Sequence, residues 1–294
     1  MTNIGPSTVL PAIGGSTAAA ADPWHLYYSP LISEFIASLT YTLFSNLLGI
    51  FGVADSASKL SIALLDGGLN FVLICIFGGI NGGHFNPAIT FATLLTFNMR
   101  LLIGFCMIFV QFFGAFFGSL LSRSVLPSTV FVDSFIALGI LKRNIDVGLQ
   151  HQFSRIEKQD YFSSFAGGDA AFSNRFQIFL LETLMSTLVV STYMLGSTFE
   201  TVLTTASSVG ACRAVVSLIG LYTTGQGANF ARLLANNIIT SIFVVDDKAW
   251  RLFYLSVFAS FASSIISAGI WWLVTATSAD SNERQTAKRN FANK

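Results

Sequence analysis

The feature that most constrains this chain is an interruption, Gly83-His84-Phe85-Asn86-Pro87-Ala88-Ile89-Thr90, in the middle of a long apolar stretch. Gly82 and Gly83 let the backbone turn, Asn86 is a good helix N-cap, and Pro87 falls on the first helical position, where its missing N–H is harmless. A helix therefore starts at Asn86. The apolar run behind it, Ala88 to Phe97, is about ten residues long, and a bilayer crossing takes about twenty. The spacing predicts a half-helix that begins inside a membrane. Irregular backbone at that depth is tolerated only where protein covers it or where it lines a water-filled cavity, and broken helices mark binding and conduction sites.

Composition supplies the membrane. Of 294 residues, 53% are hydrophobic and only 11% charged, with 29 phenylalanines and a mean hydropathy of +0.65. A globule in water needs more polar surface, so the chain reads as an integral membrane protein in contact with a lipid bilayer. A formal net charge of +1 gives no basis for a nucleic-acid partner. Cys75, Cys106 and Cys212 each lie in an apolar segment and read as buried thiols, not as a disulfide or a metal site. Nothing in the sequence asks for a cofactor or points to catalysis.

Taken in order, residues 1–28 form a Gly-, Ser-, Thr-, Ala- and Pro-containing tail without Lys or Arg, expected to be disordered. A first repeat, 29–121, holds spans at about Pro30–Val53, Leu60–Phe77 and Arg100–Leu121. Glu34 stands near the start of the first. The third carries Gln111 and the pair Gly114 and Gly118, whose spacing suits close helix–helix approach. Residues 122–174 form a long charged connector with Arg123, Asp133, Lys142, Arg143, Asp146, Arg155, Glu157, Lys158 and Asp160, and one expected short surface helix, Phe131–Leu141. A second repeat, 175–275, has spans at about Phe176–Leu195, Ser207–Tyr222 and Ala249–Val274, with Glu182 near its start. A C-terminal tail, 276–294, follows. Gly82-Gly83-His84-Phe85-Asn86 is echoed by Gly225-Gln226-Gly227-Ala228-Asn229. Three spans per half is an odd number, so the second copy enters the membrane from the opposite side and the repeats are inverted. Asn86 and Asn229 then meet near the midplane, with the positive ends of two half-helices aimed at that point.

His84-Phe85-Asn86-Pro87-Ala88-Ile89-Thr90 resembles the signature of the aquaporins, the major intrinsic protein family, and the likeness runs from Pro30 to about Val274. Glu34, Glu182 and Gln111 stand where the family has them, and Asn229-Phe230-Ala231-Arg232 resembles its second box. The resemblance implies an all-α membrane fold of six transmembrane helices plus two re-entrant half-helices, with one pore per chain and a homotetramer. It implies pore asparagines at Asn86 and Asn229, with Pro87, Ala88, Phe230 and Ala231 completing the two boxes. Phe230 departs from the family's proline, and its ring is expected to pack against Pro87.

Ionisable groups at membrane depth are costly, and the sequence reading places four there: Glu34, Asp66, Glu182 and Arg232. By resemblance, Glu34 and Glu182 accept hydrogen bonds from loop N–H groups, with His84 and Gln111 as further braces. Family offsets from the two asparagines put a selectivity filter at Asp66, Ser217, Gln226 and Arg232. An acid and a small hydroxyl thus replace the aromatic and histidine of an ordinary water filter. Either the mouth is wide and polar or an Asp66–Arg232 ion pair spans it. The function expected is passive permeation of water, with small neutral solutes as further permeants. A polyol, urea or ammonia channel and a non-conducting structural protein of the same fold are the alternatives.

Overall fold

Apolar stretches long enough to cross a bilayer fold as helices because lipid offers no partner for a free backbone N–H or C=O. The computed structural model describes residues 23–52, 56–140, 175–225, 227–244, 250 and 252–292. Six of its helices are long and apolar enough to span: Ser29–Phe51, Lys59–Asn81, Leu101–Val125, Arg175–Phe199, Val202–Tyr222 and Phe253–Ser278. No strand occurs among the described residues. In chain order the helices are α1 (Ser29–Leu47), α2 (Ser56–Asn81), α3 (Pro87–Leu95), α4 (Leu101–Val125) and α5 (Ser128–Ala137), then α6 (Arg175–Phe199), α7 (Val202–Tyr222), α8 (Phe230–Phe243) and α9 (Phe253–Ala292).

The pairing of these helices repeats across the two halves. α1 packs on α4 as α6 packs on α9, α2 meets α7, and each half-helix packs on the last span of the other half, α3 on α9 and α8 on α4. Glycine sets the closest approaches. A Cβ on Gly114 would lie 2.3 Å from the carbonyl oxygen of Phe35, and one on Gly118 would lie 2.4 Å from that of Leu39, so α4 sits directly on the α1 backbone. At the α2–α7 crossing, a Cβ on Gly67 would lie 2.4 Å from the Gly210 carbonyl oxygen.

Several boundaries differ from the sequence reading. A helical turn, Trp24–Tyr28, leads into α1, inside the stretch expected to be tail; residues 1–22 lie outside the described set. Helix α7 begins at Val202, five residues earlier than expected, because the Thr201 hydroxyl caps it by accepting from the Thr204 N–H at 3.3 Å. Helix α9 continues as one rod into the expected C-terminal tail, to Ala292. The short helix of the connector is Ser128–Ala137 and is not a surface element. Phe131, Phe135 and Leu138 recur at helical spacing and are buried in one cluster with Ile62, Leu221 and Ile239. The remainder of the connector, 141–174, is outside the described residues.

Candidate functional site

The two half-helices start as their local sequences dictate. Asn86 caps α3, its Oδ1 accepting from Ala88 N at 3.1 Å, with Pro87 at the first helical position. Asn229 caps α8, its Oδ1 accepting from Arg232 N at 3.3 Å. The residue before each asparagine is a non-glycine at positive φ, Phe85 at 31° and Ala228 at 62°. That uncommon conformation turns two carbonyls inward, and each receives a bond from the opposite half. Asn86 Nδ2 donates to Ala228 O at 2.8 Å, and Asn229 Nδ2 donates to Phe85 O at 2.8 Å. The crossing is thus reciprocal, and these bonds hold the strained residues in place.

Each loop rests on a buried glutamate. Oε1 of Glu34 accepts from Asn81 Nδ2 at 2.8 Å and His84 N at 2.7 Å; Oε2 accepts from Phe85 N at 2.8 Å and Gln111 Nε2 at 2.6 Å. Loop N–H groups that have no helical partner are satisfied there. Gln111 Nε2 also donates to Thr90 Oγ1 at 2.8 Å, and that hydroxyl lies 3.0 Å from Nδ1 of His84. Glu182 does the same for the second loop, accepting from the Thr224 hydroxyl and from Ala228 N at 3.4 Å.

Between the asparagines lies a cavity of about 10 Å³, counted to the centre of a water-sized sphere, which is room for about one water. Tyr41, Asn70, His84, Asn86, Asn229 and Arg213 are among its walls. Arg213, on α7, is 2% exposed, and its guanidinium donates from Nε to Asp66 Oδ2 at 2.8 Å and from Nη1 to Gly227 O at 3.0 Å. Asp66 also accepts from Ser45 Oγ at 2.9 Å. The Gly67–Gly210 approach brings α2 and α7 close enough for that pair to form.

Here the structure corrects the sequence reading. To the two alternatives at Asp66, a wide polar mouth or an ion pair with Arg232, the structure adds a third, a hydrogen-bonded ion pair with Arg213, with the Arg232 charge nearby. Arg232 is itself buried in α8, with Nε 3.3 Å from Asn46 Oδ1. Asn46 in turn forms a two-way amide pair with Asn236, at 2.8 and 3.0 Å, braced by Ser119 Oγ at 2.8 Å. Ser217 lies buried one turn along α7 from Arg213, while Gln226 falls outside the described residues. The Phe230 ring, expected beside Pro87, has an aromatic seat. It packs against Phe112 of α4 at 5.0 Å and Phe253 of α9 at 5.7 Å, and it is absent from the cavity wall. Ala231 sits beside it in a small buried cluster with Ala115 and Ala235. Sequence reasoning misses Arg213, although the rule that picked the other four covers a lone arginine in an apolar span. It also misses Asn46 and Asn236, which carry no motif.

The family profile described as "Major intrinsic protein" matches residues 24–271. The chain belongs to the major intrinsic protein family. Members of this family are membrane channels and not enzymes, and the chain is accordingly an integral membrane protein. It is 31% identical over 231 residues to the lens fiber major intrinsic protein of Homo sapiens, an alignment covering 76% of this chain and 75% of that one. The protein of the same name from Canis lupus familiaris matches with the same values. Among solved structures, the aquaglyceroporin from Plasmodium falciparum superposes with a TM-score of 0.60 at 17% identity, over 83% of this chain and 95% of that one. That likeness is one of fold.

Proposed function

We propose that the chain is a passive channel for water, and for neutral solutes small enough to follow it, with one conduit per chain and four chains to an assembly. The observation that carries the reading is the reciprocal Asn86–Asn229 crossing around a water-sized cavity. A side-chain amide has two N–H donors. Each asparagine commits one to the opposite loop, which leaves one for a passing molecule. Loop carbonyls accept from its hydrogens, and the converging half-helix dipoles with Arg232 repel protons and cations, as in aquaporin-type pores generally. Asp66, Ser217, Gln226 and Arg232 are proposed as the filter, with Arg213 joined to Asp66.

A second reading, a non-conducting structural protein of this fold, draws on the Asp66–Arg213 ion pair, because its arginine borders a cavity no larger than one water. The polyol and urea readings gain nothing from so small a cavity, whereas ammonia, about the size of water, fits it as well. Light scattering from proteoliposomes separates them. The channel reading expects shrinkage much faster than that of empty vesicles under an impermeant osmolyte. Shrinkage at the empty-vesicle rate would favour the structural reading, and re-swelling in glycerol or urea would favour the solute channel.

A further inference from the structure

The roles proposed for the asparagines leave Arg213 without an explanation of its third nitrogen. Nε and Nη1 are committed to Asp66 and to the Gly227 carbonyl, while Nη2, fully buried, has no hydrogen-bond partner among the described residues. A buried charged donor without an acceptor is costly, and native structures seldom leave one so. Arg213 borders the same cavity as Asn86 and Asn229, each of which keeps one amide hydrogen uncommitted.

We propose that Arg213 is a permeant-contact residue: its Nη2 and the free amide hydrogens of Asn86 and Asn229 are three donors lining one site for a small neutral molecule, a water, whose oxygen accepts from two of them at a time. The proposal rests on the channel reading above and adds a contact to it. Two features favour a neutral occupant over an anion. Asp66, 2.8 Å from the guanidinium, offsets its charge, and the cavity has room for about one water. Asp66 is then a positioning residue. With Gly227 O it fixes two of the three guanidinium nitrogens, so the planar fork presents the third in one direction. A water held this way offers its oxygen to the donors and must leave them to move on. A polyol, whose carbon chain exceeds the cavity, is held back at the same point.

The test combines a high-resolution structure of the protein grown in bromide with light scattering from proteoliposomes. The expected result is an ordered solvent oxygen within about 3.2 Å of Arg213 Nη2, without anomalous signal. Arg213→Lys keeps the charge beside Asp66 but lacks the fork, and should fold and lose that oxygen. Asp66→Ala/Arg213→Ala removes both charges together, strands neither, and enlarges the cavity. Its glycerol-to-water permeability ratio should rise by about tenfold, the scale of one lost charge-assisted contact. A purely structural ion pair would lower the thermal midpoint of both variants and leave the solvent oxygen in place in Arg213→Lys. An empty cavity, a protein acceptor on Nη2, a bromide peak in the site or an unchanged ratio would overturn the proposal. An ordered oxygen in a protein that passes no water would refute the channel and keep the site, whereas fast water flux with an empty cavity would do the reverse. If the double variant does not fold, the lysine variant decides.

Discussion

Glu34 offers the sharpest test of what holds the first loop in place. Its carboxylate, wholly buried, accepts from two backbone N–H groups, His84 and Phe85, and from the side chains of Asn81 and Gln111. Glutamine has one oxygen where glutamate has two. In Glu34→Gln one backbone N–H therefore faces an NH₂ group and loses its acceptor. Gln111 can turn its amide to meet the new donor, because its own Oε1 has no partner, at the expense of its bond to Thr90. Leucine removes both acceptors and strands both N–H groups. At about 1–3 kcal/mol for each orphaned donor, glutamine should cost about that much and leucine about 2–6 kcal/mol. Both changes abolish the buried charge, so their difference reports the one acceptor oxygen that glutamine keeps, with its backbone N–H and its side-chain donor. Thermal unfolding in detergent should rank wild type above Glu34→Gln and Glu34→Gln above Glu34→Leu, with most water permeability kept in the glutamine variant. A leucine variant as stable as the glutamine variant would refute the reasoning. So would a wild-type proton current that the glutamine variant abolishes at unchanged yield, since Glu34 would then be a proton carrier.

Phe230→Pro should destabilise. Proline at the first position of α8 gains about 0.4–1 kcal/mol from a stiffer unfolded chain, but the contacts with Phe112 and Phe253 are lost, at about 0.5–1.5 kcal/mol each beyond buried area. Water permeability should hardly change, because the ring is outside the cavity wall; a several-fold rise in vesicle shrinkage rate would show that it plugs the conduit. Gly114→Leu places carbon where the Phe35 carbonyl sits, and should prise α4 from α1 at a cost of about 1–3 kcal/mol or more. An unchanged thermal midpoint would contradict that helix contact. Asn236→Leu removes both bonds of the amide pair and the acceptor of Ser119 Oγ, leaving Asn46 with Ser122 and Arg232, and should cost about 1–3 kcal/mol. Because Asn46 also receives Arg232 Nε, the glycerol-to-water permeability ratio should shift as well; loss of stability with an unchanged ratio would confine the pair to a structural role.

Much of the architecture is legible in the residues because it follows from local rules. Six spans follow from apolar length, and a half-helix follows from Asn86 capping a run that Pro87 starts and that ends too soon to cross. The inverted arrangement follows from an odd number of spans in each half, whereas the buttress at Glu34 is implied by the family resemblance. Residue contacts between helices lie beyond such rules. Whether Asp66 meets Arg232 or Arg213 depends on how α2 and α7 rotate and how near they come. Gly67 and Gly210 set that approach between residues 147 positions apart in sequence. The Phe230 ring goes to Phe112 and Phe253 because α4 and α9 offer an aromatic seat that no count along the chain reveals. The connector helix is buried and not surface-bound because Ile62, Leu221 and Ile239 from three other helices close over Phe131 and Phe135. Propensity, capping and apolar length act within a few turns of one helix and can be read along the chain. The partner of a buried charge or ring is decided by the rotation and spacing of helices that meet only when the chain has folded.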